Sequence, residues 1–475
     1  MPFNYENLKK TQGDLRAGVI TCREVIQHYL QTIDEKKHLN AFLEVFGDEA
    51  LERADAIDQK IKSGKTGKLF GLVVGVKDVI CMKGKKVTAS SKILDDFESL
   101  YNATVIERLL KEDAIIIGRC NCDEFAMGSS NENSAFGPVL NYLDNSKVSG
   151  GSSGGSTVAV QAGLCMVSLG SETGGSIRQP ASFCGNIGLK PTYGRLSRYG
   201  LIAFASSFDQ IGPITTNAED MALMMEVMAG FDEHDSTSAA DLPQKYSENL
   251  QLNRKLKIGY YPQTLDNPKI DPEISASINK LIDWFRKEGH SVEACDLKYL
   301  DYLVPTYYVL TTAEASSNLS RFSGIHYGYR DMEATESDTV TKRSRSKGFG
   351  KEVQRRIMLG TFVLSSGYYD AYYTKAQKVR RIIRDDTKKA LEKFDIILLP
   401  TTPTTAFNLG EKTKDPIEMY LADIFTVQAN ITGLPAINVP LFRHSNGMPF
   451  GAQLMADSFK EDLLLSVTDY LLKNY

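Results

Sequence analysis

The stretch FGLVVGVKDVI, Phe70 to Ile80, decides the fold class, because it is a short apolar run bounded by glycine and polar residues. A second run of this kind, DAIIIGRCN, spans Asp113 to Asn121. Between them lies ATVIERLLKED, in which apolar side chains recur at helical spacing. A strand, a helix and a strand in this order predict an α/β fold with a sheet covered by helices on both faces.

The same alternation extends in both directions from this unit. Upstream, the segment from Thr21 to Gly64 is predicted to form two helices, TCREVIQHYLQTIDEK and DEALERADAIDQKIKSG, and Gly64 supplies a helix stop. Downstream, short apolar runs alternate with amphipathic segments as far as FDIILLP, Phe394 to Pro400. No internal repeat and no linker rich in proline, serine or glycine divides the chain. We therefore expect one large mixed β-sheet in a single domain.

The net charge and the composition of the chain limit the kinds of ligand and partner that it is expected to bind. The 475 residues include 55 basic and 59 acidic side chains, a formal charge of −4, so nucleic-acid binding would need a local patch or a partner. One stretch, Val340 to Arg356, is locally basic, and we interpret it as a solvated loop leading into a helix, with a phosphate-facing surface as the alternative. SGKTGK, Ser63 to Lys68, lacks the first glycine of a phosphate loop, so no ATP site is expected in this chain.

Targeting signals and metal motifs are not apparent in the sequence. The first residues do not form a signal peptide, and no run of about 18 apolar residues occurs, so we expect a cytoplasmic protein that does not contact a membrane. The seven cysteines are odd in number and scattered, as is typical of reduced thiols. Cys120 and Cys122 form a lone C-x-C pair, for which packing is favoured over zinc binding, and no metal site is expected.

A serine nucleophile is suggested by SLGSETGGSIRQPAS, Ser168 to Ser182. Its paired glycines free backbone N–H groups that could hold an oxyanion beside Ser176. Serine needs a base, yet no histidine occurs between His38 and His234. The base must therefore be a different kind of residue.

Lys77 is a candidate base because it interrupts an apolar strand. A lysine there either lies at the strand end with its amine in water or is buried, and burial favours the neutral amine. Ser152, in SGGSSGGS, Ser149 to Ser156, is flanked by glycine pairs in a loop that caps a helix, and it could relay a proton between Lys77 and Ser176. The alternative is that both glycine loops only bind an anion through backbone amides.

Two runs that carry these serines, Ser149 to Gly163 and Leu169 to Gly200, resemble the hallmark of the amidase signature family. The resemblance implies that Ser176 is the nucleophile, Ser152 the bridging residue after a cis peptide bond, and Lys77 the base. It also implies an oxyanion hole formed by backbone amides, namely those of Thr173, Gly174, Gly175 and Ser176. Glu172 stands where this family usually has aspartate, which puts the support of the loop in doubt.

The resemblance implies an amidase signature fold over the whole chain. The expected single amidase domain has three parts: an N-terminal helical segment (1–65), a signature core with the triad (70–215), and a region with helical insertions and the remaining strands that forms the substrate pocket (216–475).

Other stretches resemble the glutamine-hydrolysing subunits of tRNA-dependent amidotransferases. They are DEFAMGSSNENSAFGPVLN, GLIAFASSFDQIGP, EASSNLSRFSGIHYGYR, RRIMLGTFVLSSGYYDAYYTKAQKVR and DIFTVQANITGLPAINVP. This likeness implies that the substrate is free glutamine, with Arg356 binding its α-carboxylate and Asp423 its α-ammonium. A tyrosine, Tyr307 or its neighbour Tyr308, is expected to complete the pocket.

The same likeness implies a heterotrimer in which this chain assembles with B and C subunits. The B subunit would bind the charged tRNA and use ATP and Mg²⁺, so this chain itself would need no cofactor. The ammonia would convert glutamyl-tRNA(Gln) to glutaminyl-tRNA(Gln), with aspartyl-tRNA(Asn) as a second target. Two alternatives stay open, a stand-alone amidase for small amides and a non-catalytic scaffold subunit.

Overall fold

The computed structural model describes residues 3–240, 244–266, 268–413 and 416–475. Within these ranges, eleven strands join in one sheet. They are β1 (Phe42–Val45), β2 (Val73–Lys77), β3 (Ile115–Cys120), β4 (Val167–Glu172), β5 (Ile187–Lys190), β6 (Gln210–Thr215), β7 (Lys257–Tyr260), β8 (Ser291–Ala294), β9 (Ile396–Pro400), β10 (Ala436–Arg443) and β11 (Pro449–Ala456).

The sheet is mixed, with the order β1-β3-β2-β4-β6-β5-β10-β11-β9-β7-β8. Strand β2 is parallel to β3 and β4, and β7 is parallel to β8 and β9, whereas the other pairings are antiparallel. The predicted strand–helix–strand unit forms β2 and β3, with a helix between them. The expected α/β fold with one large mixed sheet is confirmed.

Sixteen α-helices lie in the described part of the chain. They are α1 (Leu8–Arg16), α2 (Cys22–Glu35), α3 (Gly47–Ser63), α4 (Thr104–Lys111), α5 (Gly154–Gln161), α6 (Arg178–Cys184), α7 (Ala218–Met228), α8 (Pro262–Leu265), α9 (Pro272–Lys287), α10 (Leu300–Asn318), α11 (Ser337–Gly348), α12 (Lys351–Val363), α13 (Lys375–Leu391), α14 (Pro416–Leu421), α15 (Val427–Thr432) and α16 (Glu461–Asn474). None of these helices is both long and apolar enough to cross a membrane.

The centre of the sheet is buried on both faces. Every residue of β2, β3 and β4 is buried, although successive side chains of a strand point to opposite faces. Helix α5 packs against β2 and β4, and α3 packs against β3. This covering explains how the side chain of Lys77, the last residue of β2, is kept out of water.

Three local predictions differ from the structure. The two helices predicted between Thr21 and Gly64 form as α2 and α3, but strand β1, which was not predicted, lies between them and pairs with β3. The glycine-rich run from Ser149 is a loop only in its first half, since α5 begins at Gly154. The basic stretch forms α11 and the start of α12, and not a solvated loop.

The basic stretch is helical because its charges are compensated nearby. Arg343 and Lys347 on α11 both pair with the buried carboxylate of Asp331. Arg345 donates hydrogen bonds to the backbone carbonyls of Leu319 and Phe322. These interactions engage the cationic side chains that, judged from the sequence alone, could have bound a phosphate.

Candidate functional site

Lys77 lies at the centre of the site with its amine surrounded by hydroxyl groups. Its Nζ is 2.7 Å from Ser152 Oγ, 2.9 Å from Ser153 Oγ and 3.2 Å from the carbonyl oxygen of Ser171. Burial lowers the pKa of this amine to about 8, against the opposing effect of nearby acidic groups. A substantial fraction of the amine is therefore neutral at a pH only slightly above 7.

The loop that carries Ser152 is joined to the loop that carries Ser176. The Gly151–Ser152 peptide bond is cis, and the Gly151 amide donates to Gln179 Oε1 at 3.0 Å. The Ser153 amide donates to the Ser176 carbonyl at 3.1 Å. Ser152 is wholly buried, and Ser176 is 7% exposed. The structure therefore brings all three predicted triad residues into one buried region.

The predicted oxyanion loop connects β4 to α6. The amides of Gly174, Gly175 and Ser176 donate no hydrogen bond to any described residue. The Thr173 hydroxyl donates to Asp209 Oδ1 at 2.6 Å, which fixes the start of the loop. Unpaired N–H groups beside a serine hydroxyl can hold a negative oxygen.

Neither glycine of this loop has room for a side chain. A Cβ on Gly174 would lie 2.5 Å from the hydroxyl oxygen of Tyr307, and a Cβ on Gly175 would lie 2.3 Å from Thr426 Oγ1. The Thr426 hydroxyl also donates to the Gly174 carbonyl at 2.7 Å. The glycines thus let the loop lie directly against Tyr307 and Thr426.

A buried ion pair supports the loop from below. Glu172 accepts hydrogen bonds from Arg178 Nε at 2.9 Å and from the amides of Ile177 and Arg178, each at 3.1 Å. Burial opposes the charge of Glu172, but Arg178 outweighs it, so the pKa of the carboxyl is lowered. The glutamate at this position, where the family usually has aspartate, put the support of the loop in doubt. In the structure Glu172 makes the supporting contacts.

Arg178 connects this support to distant parts of the chain. It donates to Gln453 Oε1, to Asn430 Oδ1 at 2.8 Å and to the Thr426 carbonyl at 2.8 Å. Both Arg178 and Glu172 are fully buried. The loop therefore depends on β11 and α15 as well as on its own residues.

We expect an Arg178→Met protein to lose about 3–5 kcal/mol of unfolding free energy, because Glu172 would keep a buried charge without its partner. Urea denaturation measures the change. Arg381→Met is the control, since Arg381 is 76% exposed, and it should change stability by less than about 0.5 kcal/mol. Equal stability of the two variants would contradict a supporting role for the ion pair.

Arg356, on α12, is buried with its guanidinium between aromatic rings. Its central carbon is 5.3 Å from the ring centre of Tyr308, 5.5 Å from Phe204 and 5.6 Å from Tyr420. Its Nε donates to Glu352 Oε1 at 2.8 Å, and neither Nη donates to a described residue. Burial disfavours the cation, but Glu352 and the tyrosines outweigh it and raise the pKa of Arg356. The two Nη groups remain available for a carboxylate.

Asp423 has a buried carboxylate oxygen that accepts no hydrogen bond from the described residues. Its Oδ2 accepts from Ser129 Oγ at 2.5 Å, whereas Oδ1 is buried with no partner among the described residues. A Cβ on Gly175 would lie 3.2 Å from this Oδ1, so the oxygen lies beside the oxyanion loop. Burial raises the pKa of Asp423 to about 7, despite the opposing effects of Ser129 and Arg356. An unpaired buried acceptor suits a ligand N–H group.

Both candidate tyrosines reach the site from α10. Tyr307 is buried with its hydroxyl against Gly174. Tyr308 faces Arg356, and its hydroxyl is buried without a described partner. The contribution of either tyrosine to substrate binding stays a prediction.

Sequence reasoning missed the residues that position the pocket. Ser129 lies in the family-like stretch DEFAMGSSNEN, to which no role was assigned. Glu352 precedes Arg356 by four residues in KEVQRR, the spacing at which helical side chains meet, so this signal could have found it. Thr426 lies in the family-like stretch DIFTVQANITGLPAINVP, in which it was assigned no role, and Tyr420 carries no local signal.

Two features of the described residues concern potential metal ligands. They contain no group of three or more His, Cys, Asp or Glu side chains arranged to hold a metal ion. Cys120 and Cys122 are free and buried, and burial raises the pKa of the Cys122 thiol to about 12. Both are packing residues in the core.

The chain is similar to known proteins over nearly its whole length. The family model described as Amidase matches residues 24–465. The A subunit of a glutamyl-tRNA(Gln) amidotransferase from Chlorobium phaeobacteroides is 51% identical and covers 98% of each chain. The corresponding subunit from Chlorobium chlorochromatii is 52% identical and covers 95% of this chain and 96% of its own.

Solved structures of known proteins are also similar to this chain in sequence and fold. The A subunit of glutamyl-tRNA(Gln) amidotransferase from Thermotoga maritima, known from a crystal structure, is 39% identical with a TM-score of 0.77, covering 97% of this chain and 95% of its own. The peptide amidase of Stenotrophomonas maltophilia is 26% identical with a TM-score of 0.82, covering 99% and 97%. The fold, the paired glycine loops and these matches over nearly the full length lead to one conclusion: the chain belongs to the amidase signature family.

Proposed function

We propose that this chain hydrolyses glutamine to glutamate and ammonia as the A subunit of a tRNA-dependent amidotransferase. One observation carries the choice of substrate. Arg356, whose two Nη groups donate to no described residue, and Asp423, whose Oδ1 has no partner among the described residues, are both buried and interact electrostatically, and Asp423 lies beside the oxyanion loop. A cation and an anion in this position match the α-carboxylate and α-ammonium of a free amino acid. The relatives named above support the same reading.

The first half of the reaction forms an acyl-enzyme. Neutral Lys77 takes a proton from Ser152, which takes the proton of Ser176 as its Oγ attacks the side-chain carbonyl carbon of glutamine. The amides of the loop from Thr173 to Ser176 stabilise the oxyanion. The C–N bond then breaks, and the proton returns through the relay to the leaving nitrogen, which departs as ammonia.

The second half releases glutamate. A water molecule gives its proton to the same relay and attacks the acyl carbon. The ester bond breaks, Ser176 Oγ recovers its proton, and Lys77 is again neutral. Lys77 and Ser152 thus perform the proton transfers that histidine performs in other serine hydrolases.

The ammonia serves a partner. We propose a heterotrimer in the cytoplasm, in which a B subunit binds glutamyl-tRNA(Gln), activates its carboxylate with ATP and Mg²⁺ and accepts the ammonia, while a C subunit holds the two together. Aspartyl-tRNA(Asn) is the second candidate acceptor. The names of the relatives, which are subunits, support an assembly of this kind.

The decisive experiment measures ammonia release from glutamine and from butyramide, by the chain alone and with its B and C partners, ATP and charged tRNA. We expect glutamine to be preferred in both settings, with conversion of glutamyl-tRNA(Gln) only in the complete mixture. A preference for butyramide would instead identify a stand-alone amidase.

We expect Arg356→Ala to raise the KM for glutamine about 10- to 100-fold, because a charge-assisted pair to the α-carboxylate is lost. Hydrolysis of butyramide, which has no such group, should be unchanged. Arg355→Ala is the matched control, since Arg355 is the neighbouring arginine and is 42% exposed. An equal loss with both amides would contradict the assignment of Arg356 to the amino-acid head of the substrate.

A further inference from the structure

We infer that Glu352 is a positioning residue for glutamine selectivity: it holds Arg356 apart from Asp423, so that both groups stay free for the substrate. The inference rests on the proposed function and extends it to a residue that need not touch glutamine. Three observations on the pocket carry it.

The first observation is the way in which Glu352 binds the guanidinium. Glu352 and Arg356 are four residues apart on α12, and only Arg356 Nε donates to the carboxylate, at 2.8 Å. Both side chains are nearly buried, with 10% and 4% exposed. A bond at Nε leaves the edge formed by the two Nη groups open, and two parallel N–H donors on one edge can bind a carboxylate in a bidentate pair.

The second observation is that a buried cation and a buried carboxyl group lie close together without pairing. The Arg356 guanidinium faces the ring of Tyr420, and the Asp423 amide donates to the Tyr420 carbonyl at 3.3 Å. Burial raises the pKa of Asp423, and Ser129 and Arg356 act against that rise. No hydrogen bond joins Arg356 and Asp423 in the described part of the chain: Arg356 Nε donates to Glu352, and Asp423 Oδ2 accepts from Ser129. A buried cation that loses its anion is strongly destabilised unless another anion pairs with it. Asp423 can supply that anion, and their pairing would occupy both groups that bind the substrate.

The third observation is that Glu352 also binds Tyr420, whose ring faces the Arg356 guanidinium. The Tyr420 hydroxyl, on α14, donates to the same Oε1 at 3.1 Å, and the Tyr420 ring stacks on Tyr308 at 3.9 Å. Tyr308 and Tyr420 both face the guanidinium. Glu352 therefore fixes the guanidinium within its aromatic surroundings as well as by its charge.

The test uses three amides at pH 8, where Asp423 is ionised: glutamine, 4-aminobutanamide, which lacks the α-carboxylate, and butyramide, which lacks the whole head. Each is assayed as a substrate or, where turnover is slow, as a competitive inhibitor of glutamine hydrolysis. We expect Glu352→Ala to weaken binding of both glutamine and 4-aminobutanamide about 10-fold and to leave butyramide unchanged. Arg356→Ala should weaken glutamine but spare 4-aminobutanamide, since Asp423 stays free.

Two variants complete the comparison. Glu352→Gln keeps an acceptor for Arg356 Nε and should recover most of the affinity for glutamine, which also guards against misfolding of the alanine variant. Arg355→Ala removes the exposed partner of the same carboxylate and should behave as wild type. The inference is overturned if Glu352→Ala leaves glutamine binding unchanged or stronger, or if it spares 4-aminobutanamide as Arg356→Ala does. A wild-type protein that prefers butyramide would refute the proposed function itself, before any variant is compared.

Discussion

A Ser176→Ala protein should release ammonia from glutamine about 10⁶-fold more slowly than wild type, the loss seen when a triad nucleophile is removed. Without Oγ no acyl-enzyme forms, and the unpaired amides of the oxyanion loop have no tetrahedral intermediate to hold. The KM should change little, because Arg356 and Asp423 bind the amino-acid head independently of Ser176. Steady-state assays of ammonia release measure both constants.

The control for this variant is Ser168→Ala, the same change on β4, where the hydroxyl donates to the Ser156 carbonyl at 2.8 Å. It should keep wild-type activity. In the complete heterotrimer, the Ser176→Ala protein should still support amidation of the tRNA when ammonium salt is supplied. Undiminished glutamine hydrolysis by Ser176→Ala would refute the catalytic role and favour a scaffold function.

Replacing Lys77 by methionine should lower kcat by about 10²- to 10⁴-fold, the contribution typical of a general base. Methionine fills a similar buried volume but cannot take a proton. The wild-type kcat should rise with pH and level off above about 8, because the pKa of Lys77 is lowered to about 8 and the neutral form is the active one. The acidic side chains that act on Lys77 are Asp123, Asp209 and Glu172, together with the Cys122 thiol.

A pH profile with two amides separates Lys77 from the binding groups. For glutamine, kcat/KM should also depend on Asp423, whose pKa is raised to about 7 and which must be ionised to bind an ammonium. For butyramide only the rise near pH 8 should remain. The Lys77→Met protein should show no rise near pH 8 with either amide. A wild-type rate that falls between pH 7 and 9 would contradict the role of Lys77 as a base.

The parts of the fold that sequence predicts well are those with a local signal. The apolar run at Phe70–Ile80 forms β2, and ATVIERLLKED forms α4, since burial of one face sets the periodicity of each element. Strand β1 was missed because its four residues are too few to show a period. Helix α11 was missed because it has no apolar stripe, and its charges are compensated by ion pairs with Asp331, which lies outside the basic stretch.

The residues of the candidate site, like the elements of the fold, divide into those with a local sequence signal and those without one. The catalytic serines and the buried lysine are visible in the sequence. Glycine neighbours indicate an unusual backbone geometry at the serines, and apolar neighbours indicate burial of the lysine. Glu352 is four residues from Arg356, so its spacing could have revealed it. Ser129 and Arg178 are not visible in this way, since each acts across the chain. Ser129 binds Asp423, and Arg178 binds Gln453, contacts between residues more than two hundred positions apart.

The dependence of the oxyanion loop on Arg178 has a consequence for synthesis of the protein. A nascent polypeptide that has left the ribosome only as far as Pro400 already carries Lys77, Ser152 and Ser176. It lacks Thr426, Asn430 and Gln453, so the arginine beneath the loop has neither its amide partners nor its carbonyl. Hydrolysis should therefore begin only once translation is nearly complete, and unfinished chains should not waste cellular glutamine.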